Sequence, residues 1–123
     1  MAKARANPCV ASCPSQDILA LIGGKWSMLL LCLLADGPKR TSELARGAGG
    51  ISQKMLTQTL RELERHGIVH RHDFGEVPPR VEYSLTPLGQ SLSKLVRQIE
   101  GWVETNYTRI TREVRSYDAG LGA

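Results

Sequence analysis

The stretch SQKMLTQTLRELERHG, Ser52 to Gly67, decides how the rest of the chain is read. It opens on a serine, whose hydroxyl can accept from a free amide of a first helical turn, and it closes on glycine, which stops helices readily. Leu56, Leu60 and Leu63 recur at helical spacing and mark a buried side, with Met55 and Thr59 flanking them. Gln53, Lys54, Thr57, Gln58 and Arg61 fall on the opposite side. A polar face is ordinary on a surface helix. This one, however, has no acid in its first half; Glu62 and Glu64 come only after Arg61. Glutamine pairs bidentately with adenine, arginine and lysine pair with guanine, and free amides at a helix start suit phosphate. The face is equipped to read DNA.

Upstream, CPSQDILALIGG predicts a short helix with Pro14 at its first position and Ile18, Leu21 and Ile22 on one face, ended by Gly23 and Gly24. KWSMLLLCLLADG predicts a second helix, almost wholly apolar after Ser27 and therefore buried. In TSELARGAGG, Thr41 or Ser42 caps a short third helix with Leu44 and Ala45 inward, before Gly47, Gly49 and Gly50 break it. The first dozen residues lack periodicity and carry Lys3 and Arg5, the pattern of a flexible basic arm.

Downstream of Gly67 the period changes to alternation. IVHRHDF and RVEYSL predict two strands joined by GEVPP, where Pro78 and Pro79 make a stiff projecting tip. A long helix follows from about Pro87, capped by Thr86. Its stripe is Leu88, Leu92, Leu95, Ile99, Trp102 and Val103, extended by Tyr107, Ile110, Val114 and Tyr117, with Gly101 as a point of bending. The order predicts a mainly α fold with a small β-hairpin: a winged helix-turn-helix over 13–123, preceded by an arm over 1–12, with a C-terminal dimerisation helix. In that architecture the helix Ser52–Gly67 enters the major groove and the hairpin touches the flanking backbone or minor groove.

Bulk properties agree with this reading. A chain of 123 residues makes one domain with a real core, and a formal charge of +4 mildly favours an anionic partner. The start is basic but lacks a signal-peptide apolar run, and MLLLCLLA is too short to span a bilayer, so the cytoplasm is the expected compartment. An odd count of three cysteines argues against a disulfide framework.

Site chemistry points the same way. Arg80 on a rigid tip suits a minor groove, with Arg71 and His72 near phosphates. With Pro14 as the first helical residue, Cys13 occupies the N-cap, where amides and helix dipole stabilise a thiolate; the plainer alternative is a small capping residue. Cys32 reads as core, and Cys9 with Cys13 lacks the partners of a zinc site, so neither metal nor cofactor is expected. No phosphate loop, HExxH, GxSxG or carboxylate pair supports catalysis, and the chain is not read as an enzyme.

Taken together, CP, LIGGKW, DGPKRTSEL, GISQKMLTQTLRELERHGIV and EVPPRVEYSLTPLGQSL resemble the HxlR-type winged-helix regulators, relatives of the MarR group, over roughly Cys13 to Val103. The resemblance implies a bacterial or archaeal homodimeric transcription factor that binds a near-palindromic operator. It also implies a response to electrophiles or oxidants through the cysteine of the CP motif. Cys13 matches that cysteine, Ser52 to Arg61 match the recognition helix, and Arg80 matches the arginine of the wing. The chain departs from the pattern at Thr41, where an aromatic is common. It also has glycine and alanine after the third helix, where some members carry a second cysteine. A lone-thiol sensor, a pairing through Cys9 or Cys13, and no redox role all stay open.

The expectation is therefore a homodimeric DNA-binding regulator, a repressor rather than an activator. Gln53, Lys54, Gln58 and Arg61 contact bases with Thr57 beside them, and Ser52, Arg71 and Arg80 contact backbone or minor groove. Leu92, Leu95, Ile99, Trp102 and Val103 dimerise, with help from the first helix, and Cys13 senses. The expected partners are an operator duplex, a second copy, and a small electrophile, oxidant or ligand. Three alternatives remain: control by a small molecule bound between the helices, a winged helix that binds protein instead of DNA, and a thiol-dependent enzyme.

Overall fold

A computed structural model describes residues 6–122. In chain order these form α1 (Ser15–Ile22), α2 (Lys25–Leu34), β1 (Lys39–Arg40), α3 (Thr41–Ala48), α4 (Gln53–Arg65), β2 (Val69–Asp73), β3 (Val81–Leu85) and α5 (Pro87–Gly122). Mainly helical, with a small antiparallel sheet and a long last helix, this is a winged helix-turn-helix.

The decisive stretch folds as its capping signals require. The Ser52 hydroxyl accepts from the Met55 amide at 3.0 Å and starts α4. At the other end Gly67 takes φ +73°, the Ile68 amide donates to the Leu63 carbonyl at 2.9 Å, and the Gly67 amide donates to Glu64 at 2.9 Å. That is the paired closure that satisfies the last carbonyls of a helix. Leu56, Thr59, Leu60 and Leu63 are buried. They meet Leu30, Leu31 and Leu34 of α2, Leu44 and Ala48 of α3, Ile68, Val69, and Val96 of α5 in one core.

Between α3 and α4 the chain turns at Gly49 (φ +51°) and Gly50 (φ +86°), in a region that side chains with a Cβ rarely adopt. Gly47 does not break α3 as expected; it is helical, and its bare Cα lets Leu33 approach. Nor do the Thr41 or Ser42 side chains cap the helix. Arg40 holds the cap position, and its amide donates to the Glu43 carboxylate at 2.9 Å.

The wing has a third strand. β1, only two residues long, pairs Lys39 with Tyr83 and Arg40 with Glu82, giving the order β1-β3-β2. β2 and β3 pair from Val69–Leu85 to Asp73–Val81, and the Phe74 amide donates to the Arg80 carbonyl at 3.0 Å to close the hairpin. Val77 at the tip is 97% exposed.

Thr86 joins wing to last helix. Its hydroxyl accepts from the Gly89 amide at 3.0 Å and donates to the Gly67 carbonyl at 2.6 Å, and its own amide donates to Ile68 at 3.1 Å. α5 then runs unbroken through Gly101, about 54 Å for 36 residues. It turns two faces outward from its axis. Gly89, Ser93 and Val96 are buried in the chain's own core, while Leu88, Leu95, Ile99, Trp102 and Val103 are exposed. Val96, only 1% exposed, is a core contact that the apolar-stripe reading passed over.

Gly89 makes a testable contact. A Cβ there would land on the Ile68 carbonyl, whereas one on Gly101 meets nothing within 4 Å. Glycine-to-alanine normally stabilises a helix interior by up to about 1 kcal/mol. We expect Gly101→Ala to follow that rule and Gly89→Ala to destabilise by about 1–3 kcal/mol through overpacking. Urea unfolding of the two variants against wild type measures both signs.

Of the predicted arm, residues 1–5, with Lys3 and Arg5, lie outside the described residues. Residues 7–13 form tight turns, the Val10 amide donating to Asn7 and the Cys13 amide to Val10, each at 3.0 Å. No single helix among the described residues is long and apolar enough to cross a membrane.

Candidate nucleic-acid interface

α4 turns its polar side away from the core as one exposed strip. Ser52, Gln53, Lys54, Thr57, Gln58 and Arg61 are all exposed. Gln53 donates to the Thr57 hydroxyl at 3.3 Å, which steadies two of them. Glu62, the first acid on the helix, is occupied by Arg65 at 3.3 Å and lies 3.9 Å from His66. Lys54 and Arg61 have no ion-pair partner among the described residues. Their charge is free for an anion.

The wing differs. Arg71 is exposed on β2 with Asp73 4.0 Å away. Arg80 does not project from the tip as a free cation. Its guanidinium folds back between Glu76 at 3.7 Å and Glu82 at 3.5 Å, 4.2 Å from the centre of the Phe74 ring. The reason is local: β-strand alternation sets Arg80 and Glu82 on one face, and the turn returns Phe74 and Glu76 beside them.

Arg80 also borders a depression shared with Arg40, Thr41 and Ser42 at the start of α3. Sequence reading assigned Thr41 and Ser42 to capping and missed this cluster. The capping contact comes instead from the Glu43 carboxylate on the Arg40 amide, and the two hydroxyls and Arg40 border the hollow between α3 and the wing. The signal present in the sequence was the KRT run directly before SEL; its nearness to Arg80 depends on β1 pairing with β3.

The other predicted residues divide. Leu92, expected in the dimerisation set, packs partly buried against the chain's own core. Leu95, Ile99, Trp102 and Val103 stay 57%, 52%, 60% and 43% exposed. α1 has no buried residue, and Ile18 and Leu19 are exposed on it.

Cys13 is not the N-cap. Pro14 takes that place, already in helical dihedrals, and Ser15 is the first helical residue. The Cys13 sulfur instead accepts from the Ser15 hydroxyl at 3.1 Å and the Asn7 amide at 3.3 Å. Those donors, the Ser15 hydroxyl first, then the Asn7 amide and the Ser15 amide, hold the thiol below its ordinary pKa. Cys32 moves the other way: burial pushes its pKa up, and its thiol donates to Glu100 at 3.4 Å. A cavity of about 500 Å³ lies between the end of α2, β3 and α5, with Leu34, Asp36, Leu85, Ser93, Lys94 and Arg97 among its walls.

The geometry has counterparts in known proteins. Residues 21–111 match the family model described as HxlR-like helix-turn-helix. The uncharacterized HTH-type transcriptional regulator YtfH of Escherichia coli (strain K12) is 43% identical over 104 residues, 85% of this chain and 82% of that protein. Among solved structures, the transcriptional regulator ytfH from Salmonella typhimurium superposes with a TM-score of 0.85 at 40% identity, covering 90% of this chain and 99% of that one. The redox regulator HypR in its oxidized form superposes with a TM-score of 0.70 at 49% identity, covering 76% and 97%.

Proposed function

The chain belongs to the HxlR-like helix-turn-helix family of transcriptional regulators, and on that premise we propose that it is a homodimeric repressor of a near-palindromic operator. The observation that carries this reading is the exposed, unpaired cationic strip of α4, opposite a face locked into the core. Gln53, Lys54, Gln58 and Arg61 reach base edges, with Thr57 beside them, and Ser52 offers the helix start to phosphate. Arg71 and Arg80 serve backbone or minor groove from the wing. Residues 13–123 work as one unit, α5 joining two copies through Leu95, Ile99, Trp102 and Val103, with Leu92 bracing the helix from inside. Anisotropy titration of a selected duplex, with and without competitor DNA, tests the reading. Equal affinity for selected and scrambled duplexes opposes it.

The signal enters at Cys13. A thiol hydrogen-bonded in its charged form reacts with electrophiles at lower pH, and a relative that matches 76% of this chain is named a redox regulator. An adduct or sulfenic acid adds bulk or polarity just ahead of α1, and so disturbs the pairing of the two copies. In a Cys9→Ser background, iodoacetamide should label Cys13 with a midpoint below the ordinary thiol value of about 8.5, and Cys32 with one above it. Mass spectrometry of each peptide against pH reads both. Oxidant should release operator from wild type and not from Cys13→Ser; release from both removes Cys13 from the switch.

A second reading rests on the cavity beside α5. A small ligand seated among Asp36, Lys94 and Arg97 would bear on α2, the wing strand β3 and the last helix together. Induction that survives in Cys13→Ser and fails in Lys94→Ala favours this route.

A further inference from the structure

We propose that Glu76 and Glu82 form a cage that holds Arg80 out of action, so that the wing engages DNA only when the nucleic acid displaces these carboxylates. The proposal rests on the reading above that Arg80 meets DNA. It concerns when that contact is made.

Four observations build the cage. Two carboxylates, at 3.7 and 3.5 Å, neutralise one guanidinium. The Phe74 ring covers one of its faces at 4.2 Å. The Arg80 carbonyl is fixed by the Phe74 amide, so release requires only side-chain rotation. Finally, Nε of Arg80 is buried with no hydrogen-bond partner. The cage therefore more than offsets the guanidinium charge and still leaves a donor unused. A phosphate, with several acceptor oxygens, satisfies a guanidinium more fully than these two long contacts do.

The consequence follows from the contrast with α4. Lys54 and Arg61 are uncaged and meet any duplex by charge alone. Arg80 contributes only where α4 docks deeply enough to bring the backbone against the wing, beside the hollow edged by Arg40, Thr41 and Ser42. Glu76 and Glu82 thus act as specificity-determining residues. They suppress non-specific binding more than operator binding.

The test is a coupling cycle on the full chain, read by anisotropy with a selected operator duplex and a scrambled duplex of equal composition. Proteins are wild type, Glu76→Gln, Glu82→Gln, Arg80→Ala and Glu82→Gln/Arg80→Ala, with Glu104→Gln, on the exposed far part of α5, as the control for lost negative charge. Each cage variant should raise affinity for the scrambled duplex about 2- to 5-fold beyond the control, the range of one exposed ion pair, and lower the operator-to-scrambled ratio. The gain should vanish when Arg80 is alanine. A gain no larger than that of Glu104→Gln, or one that survives in the double variant, overturns the cage. If Arg80→Ala alone binds both duplexes like wild type, the wing contact itself is overturned. Glu76, half exposed, keeps the test valid should Glu82→Gln disturb the sheet.

Discussion

Leu95→Glu/Ile99→Glu should be a folded monomer that binds operator at least about 100-fold more weakly than wild type. Both side chains are more than half exposed, so the chain's own core does not need them. They lie in a stripe with Leu88, Trp102 and Val103, an apolar surface that a single copy of this chain leaves in water. Charges placed there oppose one another across a two-fold axis. Two linked half-site contacts strengthen binding by about 10²–10⁴ over one, and the monomer forfeits that factor. Sedimentation gives the oligomeric state, circular dichroism confirms the fold, and anisotropy gives the affinity. Simple truncation is a poorer test. Ending the chain before Leu95 also removes Val96, which is core, and would unfold what it means to separate. A double variant that stays dimeric with full affinity would move the interface elsewhere.

Arg61→Ala should cost about 1–3 kcal/mol on the best site, roughly 5- to 150-fold, and relax preference at one position in each half-site. The magnitude follows from the chemistry of a guanidinium on guanine, two parallel hydrogen bonds with one partner geometry. It also follows from the setting: Arg61 is exposed, has no carboxylate partner among the described residues, and stands on a helix anchored by Leu56, Leu60 and Leu63. Binding to scrambled DNA should weaken less, because that hold is distributed over phosphates. Competition titrations with single-base operator variants locate the relaxed position. Uniform weakening across all variants would make Arg61 a phosphate contact instead.

How much of this could be read from the sequence depended on how local each feature was. α4 was legible because serine, glycine and the leucine spacing all describe the same sixteen residues. The wing strands were legible from alternation, and the link at Thr86 from its position before a proline. β1 was not: two residues carry no period, and Lys39–Arg40 is a strand only because Tyr83 and Glu82 lie alongside. α5 was half legible. Counting apolar residues found the exposed stripe but missed the inward face, where Gly89 has no side chain to count and Val96 lies outside the register of the stripe. Arg80 was identified and its state misjudged, since its partners Glu76 and Phe74 approach only after the hairpin closes. Cys13 was placed one position too far into α1 because Pro14 enters helical dihedrals before the helix proper begins.

Joint reading of one duplex by two copies of α4 requires a two-fold site. Selection of bound fragments from a random duplex pool, with wild type and Arg61→Ala in parallel, reveals whether such a site is preferred. Wild type should yield an inverted repeat with half-site centres about 34 Å or one helical turn apart, and the variant the same repeat degenerate at one position per half. Recovery of no preferred sequence, of an unpaired site, or of an identical site from both proteins would contradict that joint reading.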